Sequence, residues 1–126
     1  MSDSLARLYQ AVRANRAADP ATSRTARLFR AGRDKMAKKL AEEAVEVMID
    51  AMRGDADAVA RESADLLYNL VVLWVATGVR PEAVWTEMER RERLLGIAEK
   101  LPKTRVDVIS RRKVVALAHS RARKRG

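Results

Sequence analysis

Glu42, Glu43 and Glu46 crowd into five residues of helix-forming sequence, and Glu62 and Asp65 follow after fifteen intervening residues. On an α-helix the spacings 42/46 and 43/46 put all three glutamates on one side. Like charges so placed weaken an isolated helix by about 0.2–0.5 kcal/mol per pair, so propensity alone does not favour the arrangement. A bound cation converts the repulsion into ligation. Glu62 and Asp65 share a second face, and Asn69 follows Asp65 by four residues. Oxygen-only ligands suit hard cations, Mg²⁺ with Mn²⁺ as the alternative. One or two such ions can hold a triphosphate and activate a water for in-line attack on phosphorus.

The competing reading of any glutamate-rich stretch is a solvated, charged helix face, and one Glu-Glu-x-x-Glu is weak evidence against it. The second acidic pair tips the balance. It opens a run that is apolar on nearly every side: Leu66, Leu67, Leu70, Val71, Val72, Leu73, Trp74 and Val75. A helix of that kind is buried. Asp65 and Asn69 then sit at or near the interior, where a carboxylate needs a partner or a metal. For Asn69 a hydrogen-bonded core amide is as good a reading as a substrate contact.

Helices must position these groups. Residues 4–17 read as a first helix, stopped by Ala18-Asp19-Pro20. A short helical piece through Ala26, Leu28 and Phe29 reaches Gly32. Asp34 can cap a long helix to about Arg53, which Gly54 ends. Asp55 or Asp57 can cap the next, closed by Gly78 after Thr77, and Pro81 opens a helix ending near Gly96. The short turn at Gly54 makes an antiparallel hairpin. Glu46 stands eight residues before Gly54 and Glu62 eight after, so both lie at one height and the five acids can converge. Trp74, Trp85, Met48, Met52 and Met88 read as core or subunit-interface packing.

Arg33, Lys35, Lys38 and Lys39 precede the acids on the same helix and can meet phosphate oxygens. Surface pairing of Lys38 with Glu42, or of Lys39 with Glu43, is at least as good an account of any one lysine.

Composition narrows the chemistry further. The 126 residues contain no cysteine and a single histidine, His119. Thiolate and histidine-based centres are therefore excluded or disfavoured. The formal charge of +9 looks like a nucleic-acid signal. All of it lies in residues 100–126, where ten Lys/Arg face one acid, Asp107; residues 1–99 are neutral, with sixteen of each sign. The division expected is an all-α domain over 1–99 and a basic extension over 100–126. No signal peptide or membrane span is legible, and a soluble cytoplasmic protein is expected.

Glu42-Glu43-x-x-Glu46 with Glu62-x-x-Asp65 resembles the signature of the all-α, MazG-like nucleotide pyrophosphohydrolases. The wider stretch is similar to the phosphoribosyl-ATP pyrophosphohydrolases of histidine biosynthesis. It runs from Gly32-Arg-Asp-Lys-Met-Ala-Lys-Lys-Leu-Ala-Glu-Glu-Ala-Val-Glu-Val through Glu62-Ser-Ala-Asp-Leu-Leu-Tyr-Asn to Gly78-Val-Arg-Pro-Glu-Ala-Val. The likeness covers about residues 5–95. It implies an antiparallel bundle of four to five helices completed by oligomerisation, as a homodimer. It implies Mg²⁺ on Glu42, Glu43, Glu46, Glu62 and Asp65, and hydrolysis of phosphoribosyl-ATP to phosphoribosyl-AMP and pyrophosphate. The chain departs from the family pattern at Ala41, where glycine is frequent, at Ser23-Arg24-Thr25, which lacks the usual aromatic, and at Asn69, where histidine is frequent. It also runs on beyond Gly96.

Two other readings stand beside this one. A house-cleaning pyrophosphohydrolase would use the same carboxylates on another nucleoside triphosphate. A nucleic-acid-binding helical protein would use the basic extension, although that segment has no aromatic for base stacking and no recognised DNA-binding motif.

Overall fold

In a computed structural model, residues 3–98 are described, and all regular structure among them is helical. The basic extension, His119 and the mixed segment beyond Pro102 lie outside the described residues. Five helices follow in order: α1 Ser4–Asn15, α2 Arg24–Ala31, α3 Arg33–Met52, α4 Ala56–Thr77 and α5 Pro81–Ala98. The chain divides into a unit over Met1–Trp85 and a second over Thr86–Gly126.

The ends of the helices follow from local chemistry. Asp19 organises the α1–α2 turn, its Oδ1 accepting from the Ala21 amide at 2.9 Å. Ser23 caps α2 by accepting from the Ala26 amide at 3.1 Å. Gly32 alone separates α2 from α3, with φ +96°. Asp34 is therefore not the cap expected from sequence. It falls inside the first turn of α3, and no side chain caps that helix. Asp55 does cap α4, accepting from the Ala58 amide at 3.0 Å. Gly78 closes α4 in the left-handed conformation, at φ +75°.

Within the first unit, α3 and α4 form the antiparallel hairpin expected from Gly54, and α1 packs on α4 while α2 packs on α3. The core gathers Tyr9 and Val12 of α1, Leu28 of α2, Met36 of α3, and Val71, Val72 and Val75 of α4. Val71 and Val72 are fully buried; burial of a side chain of this size stabilises by about 1.5–3 kcal/mol. Trp74 leans on this core and meets Trp85 edge-to-face, ring centroids 6.2 Å apart.

The apolar run of α4 is buried on the side of Val71, Val72 and Val75, but Leu67 remains 41% exposed. Met48, Met52 and Met88 are not core residues either, being 59%, 86% and 56% exposed. Val45, Met48, Ile49 and Met52 form one stripe on α3 at helical spacing, and all four are exposed. No helix among the described residues is long and apolar enough to cross a membrane.

In the second unit, Glu87 on α5 receives Arg90 Nη2 at 2.7 Å and Arg91 Nε at 3.0 Å. These guanidiniums hold the Glu87 carboxyl at about 2.

Candidate active site

The acids come together on the hairpin. From Gly54, with φ +72°, α3 runs back and α4 forward, and the capped start of α4 holds the register. Glu43 projects from α3 into the seam between the helices and is buried, only 7% exposed. Glu62 and Asp65 meet it from α4, both half-buried. One carboxylate oxygen from each of the three lies within 4.8 Å of the others. Glu46, exposed on α3, comes within hydrogen-bonding reach of Glu62.

This crowding has an electrostatic consequence. The Glu62 carboxyl is pushed up to about 7, first by hydrogen bonding with Glu46, then with Glu43, then by burial and by the negative charge of both neighbours. Glu43 Oε2 and Glu62 Oε2 are buried with no hydrogen-bond partner. Folded proteins rarely leave buried carboxylate oxygens without donors, because the desolvation cost is unrecovered. Several anionic oxygens facing one another in a half-buried seam fit a hard divalent cation.

The other expected residues are placed differently. Glu42 is exposed on α3, and its carboxylate pairs with Lys39 Nζ at 3.6 Å. That contact takes the place of the Lys39–Glu43 pairing considered from sequence; Glu43 turns inward instead. Arg33, Lys35 and Lys38 are exposed along the first turns of α3. Asn69 is buried at 1% exposure and donates to the Asp65 carbonyl at 2.8 Å, while its Oδ1 is buried without a partner.

Sequence reasoning missed a set of contacts beside the acids. Tyr68 stands one turn beyond Asp65, and its hydroxyl shares a hydrogen bond of 2.6 Å with Thr25 at the start of α2. Arg24 lies over the Tyr68 ring, 5.2 Å from its centroid. These contacts tie α2 to Tyr68, whose backbone stands one turn beyond Asp65, and set the Arg24 guanidinium on its ring. The sequence signal was Tyr68 at i+3 from Asp65; its partner, forty-three residues earlier, has none.

Comparison with known proteins decides the lineage. The family model described as phosphoribosyl-ATP pyrophosphohydrolase matches residues 5–92. The chain belongs to the phosphoribosyl-ATP pyrophosphohydrolase family. It is 66% identical to phosphoribosyl-ATP pyrophosphatase 2 of Bradyrhizobium diazoefficiens, over 99% of both chains. It is 74% identical to the protein of the same name from Rhodopseudomonas palustris, over 84% of this chain and 81% of that one. Identity to the phosphoribosyl-ATP pyrophosphatase of Azospirillum brasilense is 56%, over 76% and 86% of the two chains. The span matched by the phosphoribosyl-ATP pyrophosphohydrolase model takes in α2, α3 and α4 whole, with all five acids, and ends before the basic extension.

Proposed function

We propose that this chain hydrolyses the α–β phosphoanhydride of phosphoribosyl-ATP, releasing phosphoribosyl-AMP and pyrophosphate in histidine biosynthesis, with Mg²⁺ or Mn²⁺ as cofactor. The observation that carries the reading is the meeting of Glu43, Glu62 and Asp65 in one seam, in a chain of this family.

Glu43, Glu62 and Asp65 are the residues that would hold the cation, with Glu42 and Glu46 flanking them on the exposed side of α3. When bound, such an ion neutralises phosphate oxygens and makes a water more acidic. The chain's own groups do the rest. Arg33, Lys35, Lys38 and Lys39 supply positive charge toward the anionic substrate along α3. Glu46, accessible and beside Glu62, is positioned to orient the water and take its proton. One water is added, one bond to the bridging oxygen breaks, and the proton released passes to a carboxylate. Asn69 supports the site from beneath by its bond to the Asp65 carbonyl.

The exposed stripe Val45, Met48, Ile49 and Met52 supports the further reading that the bundle is completed by a second copy of the chain. A soluble, cytoplasmic location accompanies the biosynthetic role.

The test is pyrophosphate release from phosphoribosyl-ATP with Mg²⁺, comparing wild type with Glu46→Gln and Asp65→Asn. Release by wild type, lost in both variants, is the expected result. Turnover of other nucleoside triphosphates without turnover of phosphoribosyl-ATP would overturn the substrate assignment and keep the carboxylate chemistry.

A further inference from the structure

At the end of the α3–α4 hairpin away from Gly54, a groove opens between the ends of four helices. Arg16 at the end of α1, Phe29 of α2, Arg33 of α3 and Thr77 of α4 line it. A second concavity shares Arg16 and Phe29 and adds Arg30. Arg16 lies over the Phe29 ring, 5.1 Å from its centroid, which fixes its guanidinium at the junction of the two. Among the described residues, none of these three arginines forms an ion pair with a carboxylate. The nearest acids in sequence are Asp34, next to Arg33 in the first turn of α3, and Asp19, three residues from Arg16; both are exposed, and Asp19 Oδ1 is engaged by the Ala21 amide. Three arginines without ion-pair partners, one on the Phe29 ring and one more in each concavity, leave a local excess of positive charge, and a guanidinium suits phosphate oxygens in particular.

The position of the groove relative to the acids gives it a use. Met36, which lines it, and Glu43 are seven residues apart and share one face of α3, about 10 Å along the axis. On α4, Asp65 and Ala76 are eleven residues apart on one face, about 16 Å along the axis. The groove therefore lies two to three turns from the carboxylates, beyond the reach of the triphosphate they hold. A substrate with a triphosphate on one ribose and a single phosphate on a second ribose, with adenine between, has anions at both ends.

We propose that Arg16, Arg30 and Arg33, which line the two concavities joined at Arg16 and Phe29, form a second anion subsite that takes the phosphate monoester farthest from the scissile bond. This deepens the assignment of phosphoribosyl-ATP as substrate and rests on it. The subsite separates phosphoribosyl-ATP from ATP, which has no second phosphate to offer.

The experiment compares kcat/KM for phosphoribosyl-ATP and for ATP in wild type, Arg16→Ala, Arg30→Ala and the double variant. The circular-dichroism spectra and melting midpoints of the variants are matched to wild type; the side chains are exposed. The preference for phosphoribosyl-ATP over ATP is expected to fall about tenfold for each arginine removed, as loss of a charged hydrogen bond implies, and to fall through KM. Ribose 5-phosphate, titrated calorimetrically into wild type, is expected to bind and to bind more weakly to the double variant. An unchanged preference, or ribose 5-phosphate binding equally to both proteins, overturns the subsite. A wild-type enzyme with no preference for phosphoribosyl-ATP overturns the substrate assignment instead.

Discussion

Glu62 on α4 lies within hydrogen-bonding reach of Glu46 on α3, and this contact is the largest of the influences that raise the Glu62 carboxyl to about 7. Two acids placed eight residues either side of Gly54 thus face each other across the hairpin, and the Glu62 carboxyl is held above its ordinary value.

Stability of the metal-free protein should depend on pH with a definite sign. Below 4.5 the Glu62 carboxyl is protonated whether the chain is folded or not; between 4.5 and about 7 only the folded chain retains that proton. The folded state then binds more protons, so the contribution of Glu62 falls as pH rises through that window. In EDTA the melting midpoint of wild type should drop from pH 5 to pH 8 more steeply than that of Glu62→Gln. Adding Mg²⁺ at pH 8 should restore most of the difference. Parallel curves for the two proteins would contradict the raised Glu62 carboxyl.

Glu62→Gln should be more stable than wild type at pH 8 without metal, because one of three facing charges is removed. The same substitution should lower kcat roughly a hundredfold or more, the usual scale for loss of a positioned acid–base or ligating group. Calorimetry in EDTA and pyrophosphate release with Mg²⁺ read the two effects separately. A variant that is both less stable and fully active would show Glu62 to be an ordinary helix residue.

Asp55 holds the first turn of α4 through its bond to the Ala58 amide at 3.0 Å. Asp55→Ala should cost about 1 kcal/mol by urea denaturation, with Asp55→Ser losing less. Since α4 carries Glu62 and Asp65, Mg²⁺ affinity should weaken in step.

Tyr68→Phe removes the 2.6 Å hydrogen bond to Thr25 but keeps the ring under Arg24. The expected cost is about 1 kcal/mol. Arg24→Ala should leave that bond intact and act on KM for the substrate, since it removes the positive charge held over the Tyr68 ring. An Arg24→Ala enzyme with wild-type KM would remove Arg24 from the site.

Met48 lies 59% exposed in the centre of the apolar stripe on α3. If a second copy covers that stripe, light scattering after size-exclusion should give a dimer or larger species, and Met48→Glu should shift the mass toward the monomer. A monomeric wild type at micromolar concentration would rule the interface out.

Much of this molecule is local and therefore readable along the chain. Gly54 and Gly78 end helices because each takes a positive φ, Asp55 caps because its side chain reaches its own third amide, and Pro81 begins α5. Asp34 failed as a cap for a reason sequence does not display: α2 runs so close to α3 that only Gly32 lies between them. For Met48, Met52 and Met88 the sequence offered core or subunit-interface packing; their exposure removes the first, because an apolar stripe looks the same whether its partner is in the chain or outside it.

The helix ends at Gly54, Asp55, Gly78 and Pro81, the hairpin and the presence of two acidic clusters at one height follow from the sequence alone, since they depend on spacings of a few residues and on the fixed rise of a helix. Tertiary packing decided the rest. It turned Glu43 inward while Glu42 paired with Lys39 at the surface. It buried Asn69 and set Thr25 against Tyr68. It also set Arg16 over Phe29 where two concavities meet, one holding Arg30 and the other Arg33. These relations hinge on how one helix rotates and docks against another, which decides whether a carboxylate is buried or solvated without changing any spacing in the chain.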